Sequence, residues 1–242
     1  MTQLSIVIPA YNEARRIMPT LQHYLEYYAG TATELIVVLN GCRDQTLEIV
    51  QAFQARHHEQ LRYIEIQEPL GKGGAVKAGL LSAIGRYRGF IDADESTTPE
   101  EFQKLVNVLY ESHTDGVIAS RWMPQSTILN RDSLLRKLAS KIFAFIVRHR
   151  FHMPFHDTQC GAKVFRADLV TDIVPRMIIQ NMTFDVELLY KAFHHGYGII
   201  EVPTVWVDKT SSVMFNSPGQ LLRKAFAMYH SLWSIKKYRT YD

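Results

Sequence analysis

Asp92 and Asp94 stand one residue apart in the run GFIDADES, behind an apolar stretch and ahead of a helix predicted to open at Thr98 or Pro99. Two carboxylates on a strand-end loop can hold a hard divalent cation through oxygen ligands, leaving its other positions to water and phosphate. They can equally be solvated turn residues, because a lone DxD is a weak pattern. The run EPLGKGGAVKAGL, Glu68 to Leu80, places Gly71, Gly73 and Gly74 where a strand gives way to a helix. Glycine backbone at a helix N-terminus can approach a phosphate closely, and Lys72 adds a point charge. The alternative is a tight turn whose glycines only permit close packing. SIVIPAYNE, Ser5 to Glu13, ends a strand with Tyr11, which can stack on a nucleobase. Asn12 and Glu13 beside it can bind base edges or ribose hydroxyls, or form an ordinary loop with a helix cap.

The elements that must carry these groups follow from hydrophobic periodicity. Leu4 to Ile8, Leu35 to Leu39, Leu61 to Ile66, Phe90 to Ile91 and Val117 to Ala119 read as strands; stretches beginning near Ala14, Asp44, Gly73 and Pro99 read as helices. Such βαβα alternation predicts an α/β fold with a mostly parallel sheet, helices on both faces, and ligand-binding loops at the strand C-terminal ends. Asn12, Asn40, Gly71 and Asp92 all fall at those ends. The second half is less regular: a helix from about Asp132 to Arg148, a loop at Phe155 to Gly161, a helix from Phe184 to His195, a strand from Gly198 to Val207 and a final helix from about Pro218 to Lys237. No repeat or linker divides the chain, so residues 1–242 are expected to form one domain whose second half, beyond about residue 122, completes the site of the first.

Composition narrows the function. The chain has 242 residues, 47% of them hydrophobic and 21% charged, which is enough apolar material for a sizeable core. A net charge of +3 does not point to nucleic-acid binding. Cys42 and Cys160 lack the spacing of a disulfide framework or a zinc site, and the histidines show no metal-binding pattern. The opening MTQLSIVIPAYNE predicts no signal peptide, and no apolar run approaches the roughly 18 residues of a spanning helix. The expectation is a cytoplasmic protein, soluble or peripheral on the cytosolic side of a membrane.

Together, VIPAYNE, VVLNGCRDQT (Val37 to Thr46), GKGGAV, IDAD and ASRW (Ala119 to Trp122) keep the order and spacing of glycosyltransferase family two, which the chain resembles from about Leu4 to Trp206. DTQCGAKVF (Asp157 to Phe165), FDVELLY (Phe184 to Tyr190) and IIEVPTVW (Ile199 to Trp206) resemble its polyprenyl-phosphate branch, the dolichyl-phosphate β-glucosyltransferases first and the dolichol-phosphate mannose synthases next. The resemblance implies a GT-A-type, Rossmann-like fold and an inverting hexose transfer, glucose favoured, from a UDP- or GDP-sugar to polyprenyl or dolichyl phosphate, with Mg²⁺ or Mn²⁺. By position it implies Pro9, Tyr11, Asn12 and Glu13 around the nucleoside, Asn40, Gly71, Lys72, Gly73 and Ala93 along the nucleotide sugar, and Asp92 at ribose and metal. It implies Asp94 at the metal, and Arg121, Arg136 and Ser140 around the acceptor phosphate. Asp157 takes the acidic position before the QCG turn; since a phosphate monoester is already anionic, it is expected to orient first and accept a proton second.

Two departures bear on specificity. Leu39 and Asn40 replace the usual pair of aspartates, removing the carboxylate expected to read the base, and Ser96 replaces a Gln that some mannose synthases use on the metal. The eukaryotic glucosyltransferases carry an N-terminal membrane span that this chain is expected to lack. Membrane contact would then fall to amphipathic helices: Leu134, Leu135, Leu138, Ile142, Phe145 and Ile146 with Arg136, Lys137, Lys141 and Arg148, and the segment Leu221 to Tyr241. Both can instead be core-packed or homo-oligomer helices. Two alternatives remain at this point: the same donor chemistry with a saccharide or other non-lipid acceptor, and a non-catalytic nucleotide-sugar-binding or membrane-scaffold protein.

Overall fold

A computed structural model describes residues 2–129, 134–207, 228–233 and 235, the side chains of 134–139 excepted. Strands β1 (Leu4–Ala10), β2 (Thr33–Asn40) and β3 (Leu61–Ile66) alternate with helices α1 (Ile17–Tyr27), α2 (Thr46–Arg56) and α3 (Gly71–Ser82). β4 (Tyr87–Phe90), α4 (Pro99–Glu111) and β5 (Gly116–Ser120) continue the rhythm. Then come β6 (Thr127–Leu129), α5 (Leu134–Phe151), β7 (Lys163–Arg166), α6 (Ala167–Ile173), a 3₁₀ turn (Val174–Arg176), α7 (Phe184–His194), β8 (Ile199–Pro203) and β9 (Val205–Val207).

The main sheet runs β3-β2-β1-β4-β7-β5-β8. All its pairings are parallel except those of β7, which lies antiparallel between β4 and β5. Period-two alternation feeds a core on each face. Val7, Ile36 and Val38 pack with α3, α5, α6 and α7, while Ile6, Ile8, Leu35, Val37 and Leu39 pack with α1, α2 and α4.

The chain winds from β1 toward β2 and β3 and then returns to place β4 on the other side of β1. The loops after β1 and β4 therefore diverge and leave a crevice at the strand C-terminal ends. β7 brings its N-terminal end to the same rim, because Lys163 pairs with Phe90 on one side and Ile118 on the other.

Several boundaries differ from the expectation. The strand expected at Gly198 to Val207 divides at Thr204, and its second part pairs with β6 in a separate two-stranded ribbon. β6, β7 and α6 have no counterpart in the sequence reading. Within the expected C-terminal helix, 228–233 and 235 are helical and Leu232 and Ile235 are buried; the rest of Leu221 to Tyr241 lies outside the described residues. Among the described residues no helix is long and apolar enough to cross a membrane.

Candidate active site

The loop after β4 carries Asp92 and Asp94 into the crevice, and its backbone is pinned from α1: the Thr20 hydroxyl donates to the Ala93 carbonyl at 3.0 Å and the Tyr24 hydroxyl to the Thr97 carbonyl at 3.0 Å. Asp94 Oδ1 accepts from the Ser96 amide at 3.1 Å and from the Ser96 hydroxyl, a turn that fixes the carboxylate. Its Oδ2 lies 3.6 Å from Arg16, which also grips Glu13 with two hydrogen bonds of 2.7 Å. Asp92 Oδ1 meets Lys72 Nζ at 2.5 Å. Burial works against charge on both carboxyls. Lys72, with Lys163 and Arg121 behind it, nonetheless holds Asp92 below the usual carboxylate range, whereas burial and the neighbouring Asp92 charge push Asp94 above it.

An all-oxygen donor set on a rigid turn fits a hard cation such as Mg²⁺ or Mn²⁺, and the Lys72 ammonium already marks a place where positive charge is stabilised. Among the described residues no group of three or more His, Cys, Asp or Glu side chains is gathered. A hard cation placed here would meet the Asp92 and Asp94 carboxylates and would need further oxygen ligands from outside the described residues or from a bound ligand.

The β1 and β2 loops are stitched together. Asn12, at φ 55°, accepts from the Arg43 amide at 2.8 Å, while Asp44 accepts from the Ala14 amide at 3.2 Å and the Thr46 amide at 3.1 Å. Tyr11 is half exposed, with its ring free to meet a base; Pro9 is partly buried. Burial raises the Glu13 carboxyl to about 7 despite the Arg16 guanidinium. Leu39 lies in the core and Asn40 is 4% exposed. The Asn40 amide donates to the Gly71 carbonyl at 3.1 Å and its oxygen accepts from the Leu70 amide at 2.8 Å, so this side chain fastens the glycine turn.

The glycine turn differs from the phosphate cradle expected of it. The Gly73 and Gly74 amides donate to the Gln180 carbonyl at 2.7 and 3.3 Å. A Cβ at Gly71 would lie 2.4 Å from that same oxygen, and one at Gly73 would lie 2.5 Å from Phe184 Cβ. These glycines let α3 meet the 179–181 segment, and Lys72 is the group from this motif that faces the carboxylates.

On the far side of the rim, Asp157 and Arg121 form one unit. Asp157 Oδ2 accepts from Arg121 N at 3.0 Å and Nε at 2.7 Å; Oδ1 accepts from Arg121 Nη2 at 3.0 Å and the Gln159 amide at 3.1 Å. Burial opposes ionisation, but the Arg121 charge and hydrogen bonds hold Asp157 below the ordinary range, which disfavours it as a base. Arg121 also lies 5.2 Å from the Trp206 ring and 5.6 Å from Trp122, and Lys141 of α5 approaches Trp122 at 5.5 Å. Ser140, one helical turn from Arg136 on α5, is partly buried; the Arg136 side chain lies outside the described residues.

Several supporting residues lie inside motifs that the sequence reading quoted without giving them a role. Glu201 accepts from the His156 amide at 2.8 Å and the Asp157 amide at 2.7 Å, holding the loop that presents Asp157. Lys163, fully buried, donates to the Cys160 carbonyl at 2.5 Å and Asp185 Oδ1 at 2.7 Å. Glu187 accepts from the Ile178 and Ile179 amides at 3.1 and 2.8 Å. Acidic residues at the first turn of a helix were the available signal for Asp185 and Glu187; for Arg16 there was none.

A family model described as Glycosyl transferase family 2 matches residues 5–174. Similar proteins include a dolichyl-phosphate beta-glucosyltransferase of Drosophila melanogaster, 33% identical over 94% of this chain and 74% of that protein. Another, of Saccharomyces cerevisiae, is 30% identical over 87% and 69%. Among solved structures, glucosyl-3-phosphoglycerate synthase from Mycobacterium tuberculosis, in complex with Mn²⁺, UDP-glucose and phosphoglyceric acid, superposes with a TM-score of 0.74 at 19% identity, covering 97% of this chain and 79% of that one. That likeness is one of fold, and the expected Rossmann-like, mostly parallel GT-A-type architecture is present.

Proposed function

Because the chain belongs to glycosyl transferase family 2, we propose that this glycosyltransferase moves glucose, with inversion, from a nucleotide sugar to dolichyl or another polyprenyl phosphate. The observation that carries the reading is an arginine locked by a buried carboxylate just past β5, across β7 from the two-carboxylate loop that follows β4 and near enough for its charge to favour the ionised form of Asp92. A donor diphosphate and an anionic acceptor then share one crevice.

Tyr11, with Pro9, Asn12, Glu13 and Ala93, lines the nucleoside side. Asp92 and Asp94 would hold Mg²⁺ or Mn²⁺, which would supply positive charge against that of a leaving diphosphate. Arg121, with Arg136 and Ser140, holds the acceptor phosphate for in-line attack on the anomeric carbon. The acceptor oxygen is already anionic, so Asp157 aims Arg121 and takes no proton. Dolichyl-phosphate beta-glucosyltransferases among the relatives support both sugar and acceptor. The test is a donor and acceptor matrix, UDP-glucose and GDP-mannose against dolichyl phosphate and phosphoglyceric acid, with Mn²⁺ present. Glucosyl lipid is the expected product; transfer to the soluble acceptor alone refutes the reading.

Asp157→Asn separates orientation from base catalysis. With the Arg121 clamp weakened, KM for the lipid phosphate should rise about tenfold while the pH profile of kcat keeps its shape. A lost kcat at unchanged KM would make Asp157 the base.

The enzyme is proposed to sit peripherally on the cytosolic face of a membrane. On α5, Ile142 and Phe145 are 50% and 62% exposed beside Lys141 and Arg148, and Arg150 lies 5.4 Å from the Trp233 ring, itself 64% exposed. Apolar and aromatic groups rimmed by cations suit an anionic bilayer surface. Replacing Ile142 and Phe145 together by Glu should weaken sedimentation with phosphatidylglycerol vesicles about tenfold or more, with turnover on a short-chain soluble polyprenyl phosphate retained. Unchanged vesicle binding would move the contact elsewhere.

A further inference from the structure

Each of the two carboxylates has a cation beside it: Lys72 Nζ lies 2.5 Å from Asp92 Oδ1 and Arg16 lies 3.6 Å from Asp94 Oδ2. The two cations are not equally held. Arg16 is committed to Glu13 by a bidentate pair, whereas Lys72 reaches Asp92 on a flexible four-carbon stem from the first turn of α3. The α3 backbone beneath it is fixed by the Gln180 carbonyl, so the ammonium can swing without the helix moving.

A divalent ion added to this largely buried cluster, where two cations already face the three carboxylates of Asp92, Asp94 and Glu13, would reverse its net charge and leave an excess of positive charge in poorly solvated surroundings. It would also have to displace Lys72 from Asp92 and, among the described residues, would find no third ligand gathered with Asp92 and Asp94. A nucleoside diphosphate removes all three obstacles: it brings compensating negative charge, further oxygen ligands, and a new partner for the displaced ammonium. We propose that Lys72 occupies Asp92 as a counter-ion until the donor diphosphate arrives, and then passes from carboxylate to phosphate, so that the divalent ion and the diphosphate enter as a coupled pair. The inference rests on the reading of Asp92 and Asp94 as the ion's ligands.

Coupling of this kind is reciprocal and measurable without turnover. Free Mn²⁺ is followed by electron paramagnetic resonance during titration of the full chain, with and without UDP, for the wild type, Lys72→Met and Lys72→Arg. The wild type should bind Mn²⁺ at least ~10-fold more tightly when UDP is present. Lys72→Met should bind Mn²⁺ alone ~10-fold more tightly than the wild type, and UDP should then add less. Lys72→Arg, which keeps the charge, should keep the coupling. Circular dichroism melting establishes that the variants fold, and Lys72→Gln supplies a second uncharged side chain if Met is not tolerated. An unchanged or weaker affinity of the uncharged variants for Mn²⁺ alone, with UDP-dependent binding intact, overturns the Lys72 role and leaves the ion site standing. Absence of Mn²⁺ binding by the wild type even with UDP overturns both.

Discussion

Asp94→Asn should lower kcat/KM for glucosyl transfer by about 1,000-fold, close to 4 kcal/mol of transition-state stabilisation, with the fold retained. The size follows from what the substitution preserves. Asn keeps an Oδ1 that can accept from the Ser96 amide, so the turn at 94–96 survives, as do the Thr20 and Tyr24 hydroxyls that pin the loop from α1. Only charge is lost, and it is lost at a position where, among the described residues, no group of three or more possible ligands is gathered. Stability should change little, since burial and Asp92 already disfavour the Asp94 charge. Transfer assays, thermal melting and Mn²⁺ titration in the presence of UDP measure the three quantities. Turnover within tenfold of the wild type would exclude a metal-assisted departure of the diphosphate at this loop.

Local signals were enough for the parts of the site that are made locally. β1 and β2 announce themselves as β-branched runs buried on both faces, and the Asp92 and Asp94 loop follows directly from the strand–turn–helix pattern around it. β7 was missed because a four-residue strand beginning with a lysine carries no such signal; it exists through antiparallel pairing with β4 and β5. The glycine turn was read for phosphate because its partner, the Gln180 carbonyl, comes from the other half of the chain. The same distance hid the use of Asn40 as a fastener for that turn. Family resemblance reached Arg121 and Asp157 without predicting that they would be bound to one another. That bond changes the chemistry available to Asp157, since all four of its hydrogen bonds come from donors that favour the ionised form.

The QCG turn gains a physical reason from the same geometry, and Gly161→Ala should reveal it. A Cβ at Gly161 would lie 2.1 Å from Asp92 Oδ2 and 2.5 Å from its Cγ, far inside contact distance, so the carboxylate rests directly on the glycine. Neither partner yields easily. Asp92 is tied to Lys72 through Oδ1, and the Gly161 backbone is flanked by fully buried Cys160 and Ala162, with the Cys160 carbonyl bound to Lys163. Rotation of the Asp92 carboxylate is the cheaper response, at about 1–3 kcal/mol of overpacking. A displacement on the order of 1 Å at a reacting group costs about 100-fold in rate, so activity should fall by about that factor while the protein still folds. The decisive measurement is a double-mutant cycle on kcat/KM. If the methyl acts by displacing the carboxylate, Gly161→Ala should add little to the loss already caused by Asp92→Ala, which removes the group it strikes and opens the space it needs. Fully additive losses would mean that the glycine serves the Asp157 and Arg121 side of the turn instead.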